Sequence, residues 1–282
     1  MGKSHHLFFI MLACALAAGC ADDKTPAQNA APPQTPPRAA AEPLHPAFNL
    51  NREELAALAA GLSSPTREAI LAEPGDFLDL MDRLLREPAG LLVLVDKKNP
   101  LPKGWEPQDL VNLKDYPSLR LSRQNLQLRA IVTPSLLEMA REAKKDGAEI
   151  LVSSTYRSAA YQETVYTRIV REMGQAAADR ESARPRHSQH QLGTVIDFGS
   201  IDDDFTGTKM ERWLDANAWK YGFSLSFPDG MEELTGYRYE SWHFRYIGRP
   251  AAEMARRFFG GVQQLLLEYL HACAQKFAAA RI

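Results

Sequence analysis

His190 and Asp197 stand seven residues apart, on either side of Gly193, in the stretch Ser188-Gln189-His190-Gln191-Leu192-Gly193-Thr194-Val195-Ile196-Asp197-Phe198. In one continuous strand an odd separation would put the imidazole and the carboxylate on opposite faces, because side chains alternate with period two. The backbone must therefore turn between them, and Gly193 is the residue that permits an unusual φ. Val195-Ile196-Asp197-Phe198 then reads as a short buried strand carrying one carboxylate among apolar neighbours, and a buried carboxylate needs a partner or a metal. A second cluster, Glu240-Ser241-Trp242-His243-Phe244-Arg245-Tyr246, opens an aromatic strand pattern with an acid and an imidazole. Two His and one Asp are three good zinc ligands, the number that catalytic zinc sites use while leaving a fourth position to water. On this reading His190, Asp197 and His243 hold one Zn2+, and Glu240 is the spare carboxylate that takes the water's proton.

Taken together, Ser-x-His-(x)6-Asp followed by Glu-x-Trp-His resembles the VanY-type D-alanyl-D-alanine carboxypeptidases, zinc peptidases of the LAS (lysostaphin/D-Ala-D-Ala/sonic-hedgehog) group. Ser153-Ser154-Thr155-Tyr156-Arg157-Ser158-Ala159-Ala160-Tyr161-Gln162 resembles that family's Ser-Gly-Tyr-Arg-Ser-x-x-x-Gln motif, and Leu92 to Pro102 resembles its leading segment, so the likeness covers residues 90 to 250. It implies an α+β fold, a small and mainly antiparallel sheet with flanking helices. It also implies a zinc metallopeptidase that hydrolyses the terminal D-Ala of peptidoglycan stem peptides. An L,D-carboxypeptidase or a murein endopeptidase on the same scaffold are the alternatives, since all share the zinc chemistry and differ in pocket shape. A non-catalytic wall-binding lipoprotein is a third, but a binder has no need of Glu240. Val195 stands where the family usually has Ala, a departure that touches packing near the metal.

Arg157 is the residue expected to meet substrate, because a guanidinium holds a carboxylate bidentately and a carboxypeptidase must recognise a chain end. The resemblance leaves a second role open, steadying the oxyanion instead of the chain end, so Arg157 is placed with Glu240 as catalytic as well as with the substrate-binding residues. Gln162, Ser188 and Trp242 are placed with it as substrate-binding, Trp242 as a wall of the pocket. His187 is expected at the rim, since Arg184-Pro185-Arg186 argues against the helix that a His187-x-x-His190 metal pair would need. Asp202, Asp203 and Asp204 read as a solvated turn, with no calcium loop of known spacing after them. No Gly-x-Ser-x-Gly or Ser-x-x-Lys motif offers a serine nucleophile.

The elements that position these groups follow from patterning. Residues 1 to 20 read as a lipoprotein-type signal peptide: Lys3, a 12-residue apolar run from Leu7 to Ala18, and Leu16-Ala17-Ala18-Gly19-Cys20, which resembles a lipobox with its Leu one place early. Lipidation of Cys20 is the expectation, giving an exported, membrane-anchored protein facing the periplasm or cell wall. Residues 21 to 47, rich in Ala, Gln, Thr and Pro, read as a disordered spacer. Residues 48 to 88 read as a helical appendage packed on the core, with an Asn51/Glu54 capping box, a second helix from Ser64-Pro65 and a third over residues 76 to 86. Within the catalytic domain, residues 89 to 250, a helix capped by Thr133 runs over residues 130 to 146 and another over residues 209 to 221. Residues 251 to 282 read as C-terminal helices broken at Gly260-Gly261 and packed on the core. The mature domain keeps only Cys273, a buried small hydrophobe, so no internal disulfide is expected. A formal net charge of −2 gives no footprint for nucleic acid, and the protein is expected to be a monomer.

Overall fold

The computed structural model describes residues 42–282. The signal peptide, Cys20 and the spacer as far as residue 41 lie outside the described residues. The chain opens with three helices, α1 (Arg52–Leu58), α2 (Ser64–Ala72) and α3 (Pro74–Leu84). The Asn51 side chain accepts from the Glu53 and Glu54 amides, and the Glu54 carboxylate accepts from the Asn51 amide at 2.9 Å. That satisfies donors which a helix start otherwise leaves orphaned.

Strand β1 (Leu110–Asn112) pairs antiparallel with β3 (Gln127–Arg129) as a separate ribbon. The short β2 (Arg120–Leu121) instead joins the main sheet. Helix α4 (Thr133–Lys145) follows, with a correction to its start. A 3-10 turn over Ala130–Val132 runs straight into it, so Thr133 is already helical, and its hydroxyl turns back to the Ala130 carbonyl at 2.8 Å instead of capping. Then come β4 (Leu151–Ser154), α5 (Ala159–Met173), α6 (Gln175–Glu181), β5 (Val195–Phe198) and α7 (Lys209–Asn217). The last elements are β6 (Phe223–Leu225), α8 (Glu232–Thr235), β7 (His243–Tyr246), α9 (Arg249–Phe258) and α10 (Gln263–Ala280). The main sheet has five strands in the order β2-β4-β5-β7-β6, antiparallel except for the β2–β4 pair. The fold is therefore α+β with a small, mainly antiparallel sheet.

Two large apolar cores hold most of the buried side chains among the described residues. One lies against the sheet, where Leu136 and Met139 of α4 meet Val152, Ile196, Phe198 and Phe244. The other joins the chain's two ends: α3 packs on α9 and α10, with the Phe77 and Phe258 rings edge to face at 5.3 Å and Phe48 against Phe277 at 6.2 Å. The N-terminal helices are thus half of a helical module whose other half is C-terminal, not an appendage laid on the sheet core. The boundary at residue 47 also moves. The Leu44 amide bonds the Leu50 carbonyl, Asn49 bonds Ala280, and the Ile282 amide reaches the Ala47 carbonyl, so the spacer's end is zipped onto the C-terminus. Cys273 is buried and free on α10. Among the described residues no helix is long and apolar enough to cross a membrane.

Arg245 of β7 is fully buried and donates from one terminal nitrogen to the carbonyls of Leu91 and Val93 at 2.9 and 2.8 Å. Strand β7 is thereby fixed both to its sheet neighbours and to the segment that leads in from the helical module.

Candidate active site

The turn that the spacing of His190 and Asp197 demands is a 3-10 turn over Gln189–Leu192, closed by Gly193 at φ +69° before β5 begins. The Ser188 hydroxyl accepts from the His190 amide at its start. A Cβ at Gly193 would sit 3.0 Å from Arg129 Cγ and 3.1 Å from Leu110 Cδ2. Gly193→Ala therefore meets both left-handed backbone strain and crowding, and is expected to destabilise by about 2 kcal/mol, read as a lowered denaturant midpoint at unchanged m-value.

Register does the rest. Asp197 of β5 lies directly opposite His243 of β7, so their side chains share a face of the sheet. The turn swings His190 over the same point. His190 Nε2 is 3.2 Å from Asp197 Oδ2, and His243 Nδ1 is 3.3 Å from Asp197 Oδ1 and 3.2 Å from Glu240 Oε2. The His190 Nδ1 proton is directed to the Thr155 carbonyl at 2.7 Å, which leaves the Nε2 lone pair facing Asp197. All three ligand candidates are buried, and their donor atoms lie within 4.8 Å of one another.

The electrostatics of this cluster call for positive charge at its centre. Burial by itself would raise the Asp197 pKa, but the adjacent His190 and His243 imidazoles outweigh it and hold the carboxyl well below the usual range. For His190 burial prevails and lowers the pKa. For His243 burial also acts downward, yet Asp197 and Glu240 together push the imidazole up to about 9. Asp197 Oδ1, buried, has no hydrogen-bond partner. One carboxylate and two imidazole nitrogens thus converge, with Glu240 beside them and the Arg157 guanidinium near enough to act on Asp197. A divalent metal of the kind that suits imidazole and carboxylate fits that donor set.

The remaining expected site residues line one cleft of about 440 Å³ together with the metal cluster. Arg157 follows β4, and its guanidinium is held from behind: NH1 donates to Gln162 Oε1 at 2.9 Å and NH2 to Ser154 Oγ at 3.3 Å. The Gln162 carboxamide is engaged at both ends, since its Nε2 also donates to the Ala183 carbonyl and to Ser182 Oγ. It therefore orients Arg157 from the wall of the cleft. Ser188 and Trp242 border the cleft, Trp242 under the Arg238 guanidinium at 5.3 Å. His187 is half-buried on the rim, its Nδ1 2.8 Å from the Asp96 carbonyl. Asp202 to Asp204 form an exposed turn in which Asp202 caps and Asp203 pairs with Arg238. Sequence reading missed the Thr155 carbonyl, which has no residue-type signal at all. It also missed Ser154, whose motif position was visible but whose side chain had no evident task.

The VanY family model, described as D-alanyl-D-alanine carboxypeptidase, matches residues 125–249. That span contains every metal-cluster residue as well as Arg157, while the leading segment 92 to 102 falls outside it. A D-alanyl-D-alanine carboxypeptidase of Enterococcus faecium is 35% identical over 193 residues, 64% of this chain and 58% of that protein. The chain spans 64%, 58% and 60% of the lengths of three curated relatives that it matches. Among solved structures, the LdcB LD-carboxypeptidase aligns with a TM-score of 0.57 at 31% identity, over 64% of this chain and 86% of that one. A point mutant of the vancomycin-resistance D,D-pentapeptidase VanY in complex with Zn(II) aligns with a TM-score of 0.53 at 30% identity, over 64% of this chain and 99% of that one. Matching motifs, register and fold agree on one affiliation: the chain belongs to the VanY family of D-alanyl-D-alanine carboxypeptidases.

Proposed function

We propose that this protein is a zinc-dependent carboxypeptidase that removes the terminal D-Ala from peptidoglycan stem peptides. The observation that carries the reading is the convergence of His190, Asp197 and His243 within 4.8 Å, with Glu240 alongside. Zinc held by those three would supply a Lewis acid for the scissile carbonyl and bring a water's pKa towards neutrality. Glu240 takes the proton of the attacking water and returns it to the leaving amine. Arg157, braced by Gln162 and Ser154, offers its remaining N–H groups to the substrate's terminal carboxylate. The buried floor of the cleft keeps bulk water from competing with these contacts.

Arg157→Lys keeps a cation but loses the planar fork and its bracing by Gln162. It is expected to lower kcat/KM on the order of 100-fold, chiefly through KM in steady-state kinetics. A fall in kcat at constant KM would move the guanidinium from the chain end to the oxyanion.

The whole reading is tested by mass spectrometry of pentapeptide and tetrapeptide muropeptides incubated with zinc-loaded and chelated protein. Chelator-sensitive loss of one alanine from the pentapeptide is the expected result. Loss from the tetrapeptide alone would establish an L,D-carboxypeptidase, the second reading, which the LdcB likeness favours; no trimming of either would sink both. Export and lipidation at Cys20 belong to the same proposal, supported by the apolar run over residues 7 to 18 and the lipobox-like ending. Fatty-acid labelling that persists in Cys20→Ala would refute the anchor.

A further inference from the structure

Helix α10 lies beyond the family match, yet its first residue reaches the turn that carries His190. Gln263 is 1% exposed, and its Nε2 donates both to the Ser224 carbonyl at 3.3 Å and to Ser226 Oγ at 2.7 Å. A carbonyl only accepts, so this end of the carboxamide must be the NH2, even though its Oε1 is left buried without a partner. Ser226, also 1% exposed, has a single hydroxyl proton. Accepting from Gln263 leaves that proton for Gln189 Oε1, at 2.7 Å. The atom facing Ser226 is then the Gln189 oxygen, and the Gln189 NH2 is turned the other way. Gln189 is 5% exposed, borders the cleft beside His190, and bonds no acceptor through Nε2 among the described residues. Ser226 meanwhile donates its amide to the His243 carbonyl at 3.0 Å, so the relay is registered to both imidazole-bearing segments.

We propose that Gln189 is a substrate-binding residue, its Nε2 donating to a carbonyl or carboxylate oxygen of the peptide in the cleft. Gln263 is its positioning residue, acting through Ser226. This rests on the reading of the cleft as a peptide site. The polarity of the relay is what gives the proposal content. Gln263 donates to both the Ser224 carbonyl and Ser226, Ser226 accepts and passes its own proton on, and Gln189 accepts it, so the direction set at the Ser224 carbonyl decides which end of the Gln189 amide the cleft receives. Such chains of buried hydrogen bonds reinforce one another.

The test measures binding of a muropeptide pentapeptide by calorimetry to zinc-loaded full-length protein carrying Glu240→Gln, so that no turnover intervenes. Gln189→Leu and Gln263→Met are added singly and together, with zinc content and melting temperature recorded for each. Each single change is expected to weaken peptide binding about fivefold to tenfold, with zinc retained. Once Gln189 is Leu, Gln263→Met should cost no further affinity, because both act through one donor. Additive losses, or zinc lost from the Gln263 variant, would mean a merely structural contact and overturn the proposal. So would singles that bind as the parent does, while failure of the parent itself to bind the pentapeptide would overturn the functional reading and this inference with it. Ser226→Ala, which breaks the relay at its middle without touching α10, guards against a folding defect in the Gln263 variant and is expected to match Gln189→Leu.

Discussion

Replacing Glu240 with Gln is expected to reduce stem-peptide turnover by roughly two to four orders of magnitude while the protein still takes up its metal. The substitution keeps size and shape but removes the carboxylate that can receive a proton. Glu240 stands outside the group of three converging ligand atoms, 3.2 Å from His243 Nδ1, so its loss leaves the donor set whole. Its place is also held independently of the side chain, since its amide bonds the Phe227 carbonyl. Metal content by atomic spectroscopy beside muropeptide turnover separates the two effects. Full-rate hydrolysis by the variant would remove Glu240 from the mechanism, and metal loss would recast it as a ligand.

Asp197→Asn should act on the metal first. The carboxylate lies between the two imidazoles, 3.2 Å from one and 3.3 Å from the other, and is 2% exposed. The amide cancels the only full negative charge among the three ligand candidates and turns an NH2 towards one of two nitrogens that must both present lone pairs. Zinc affinity is expected to fall on the order of 100-fold or more, beyond the usual effect of altering a residue that merely supports a ligand, and turnover should fall with it. Competition with a chromophoric chelator reads the affinity directly. Unchanged affinity would show that Asp197 serves only as a partner for the imidazoles.

The chemistry of this site was legible because it depends on residue type at close spacing. An imidazole, a glycine and a carboxylate in one short stretch force a turn followed by a strand, and the structure has that turn, with Gly193 at φ +69°. Helix starts were legible where a side chain makes the cap, as at Asn51. The start at Thr133 was not: that residue looks like a cap, but the 3-10 turn before it had no signature in the sequence. Hydrophobic patterning identified the buried faces of α3 and α9 without revealing that they bury each other, because periodicity reports which side faces a core and not which core. The relay from Gln263 was invisible for a related reason. Glutamine is ordinarily a surface residue, and only the burial of Gln263, Ser226 and Gln189 together exposes the connection.

The clasp between the two ends of the chain also has a consequence for the order of assembly. The N-terminal segment leaves the ribosome early, but the Phe77 and Phe48 rings find their aromatic neighbours Phe258 and Phe277 on α9 and α10. The whole sheet domain stands between them in sequence. Closing so long a loop carries an entropy cost, and contacts of such separation slow folding. The helical module therefore belongs to the last stage of folding, and the first helices must wait with apolar surface exposed until the final residues arrive. A chain interrupted shortly before residue 263 would lose its C-terminal helix, and it would strand its N-terminal helices as well.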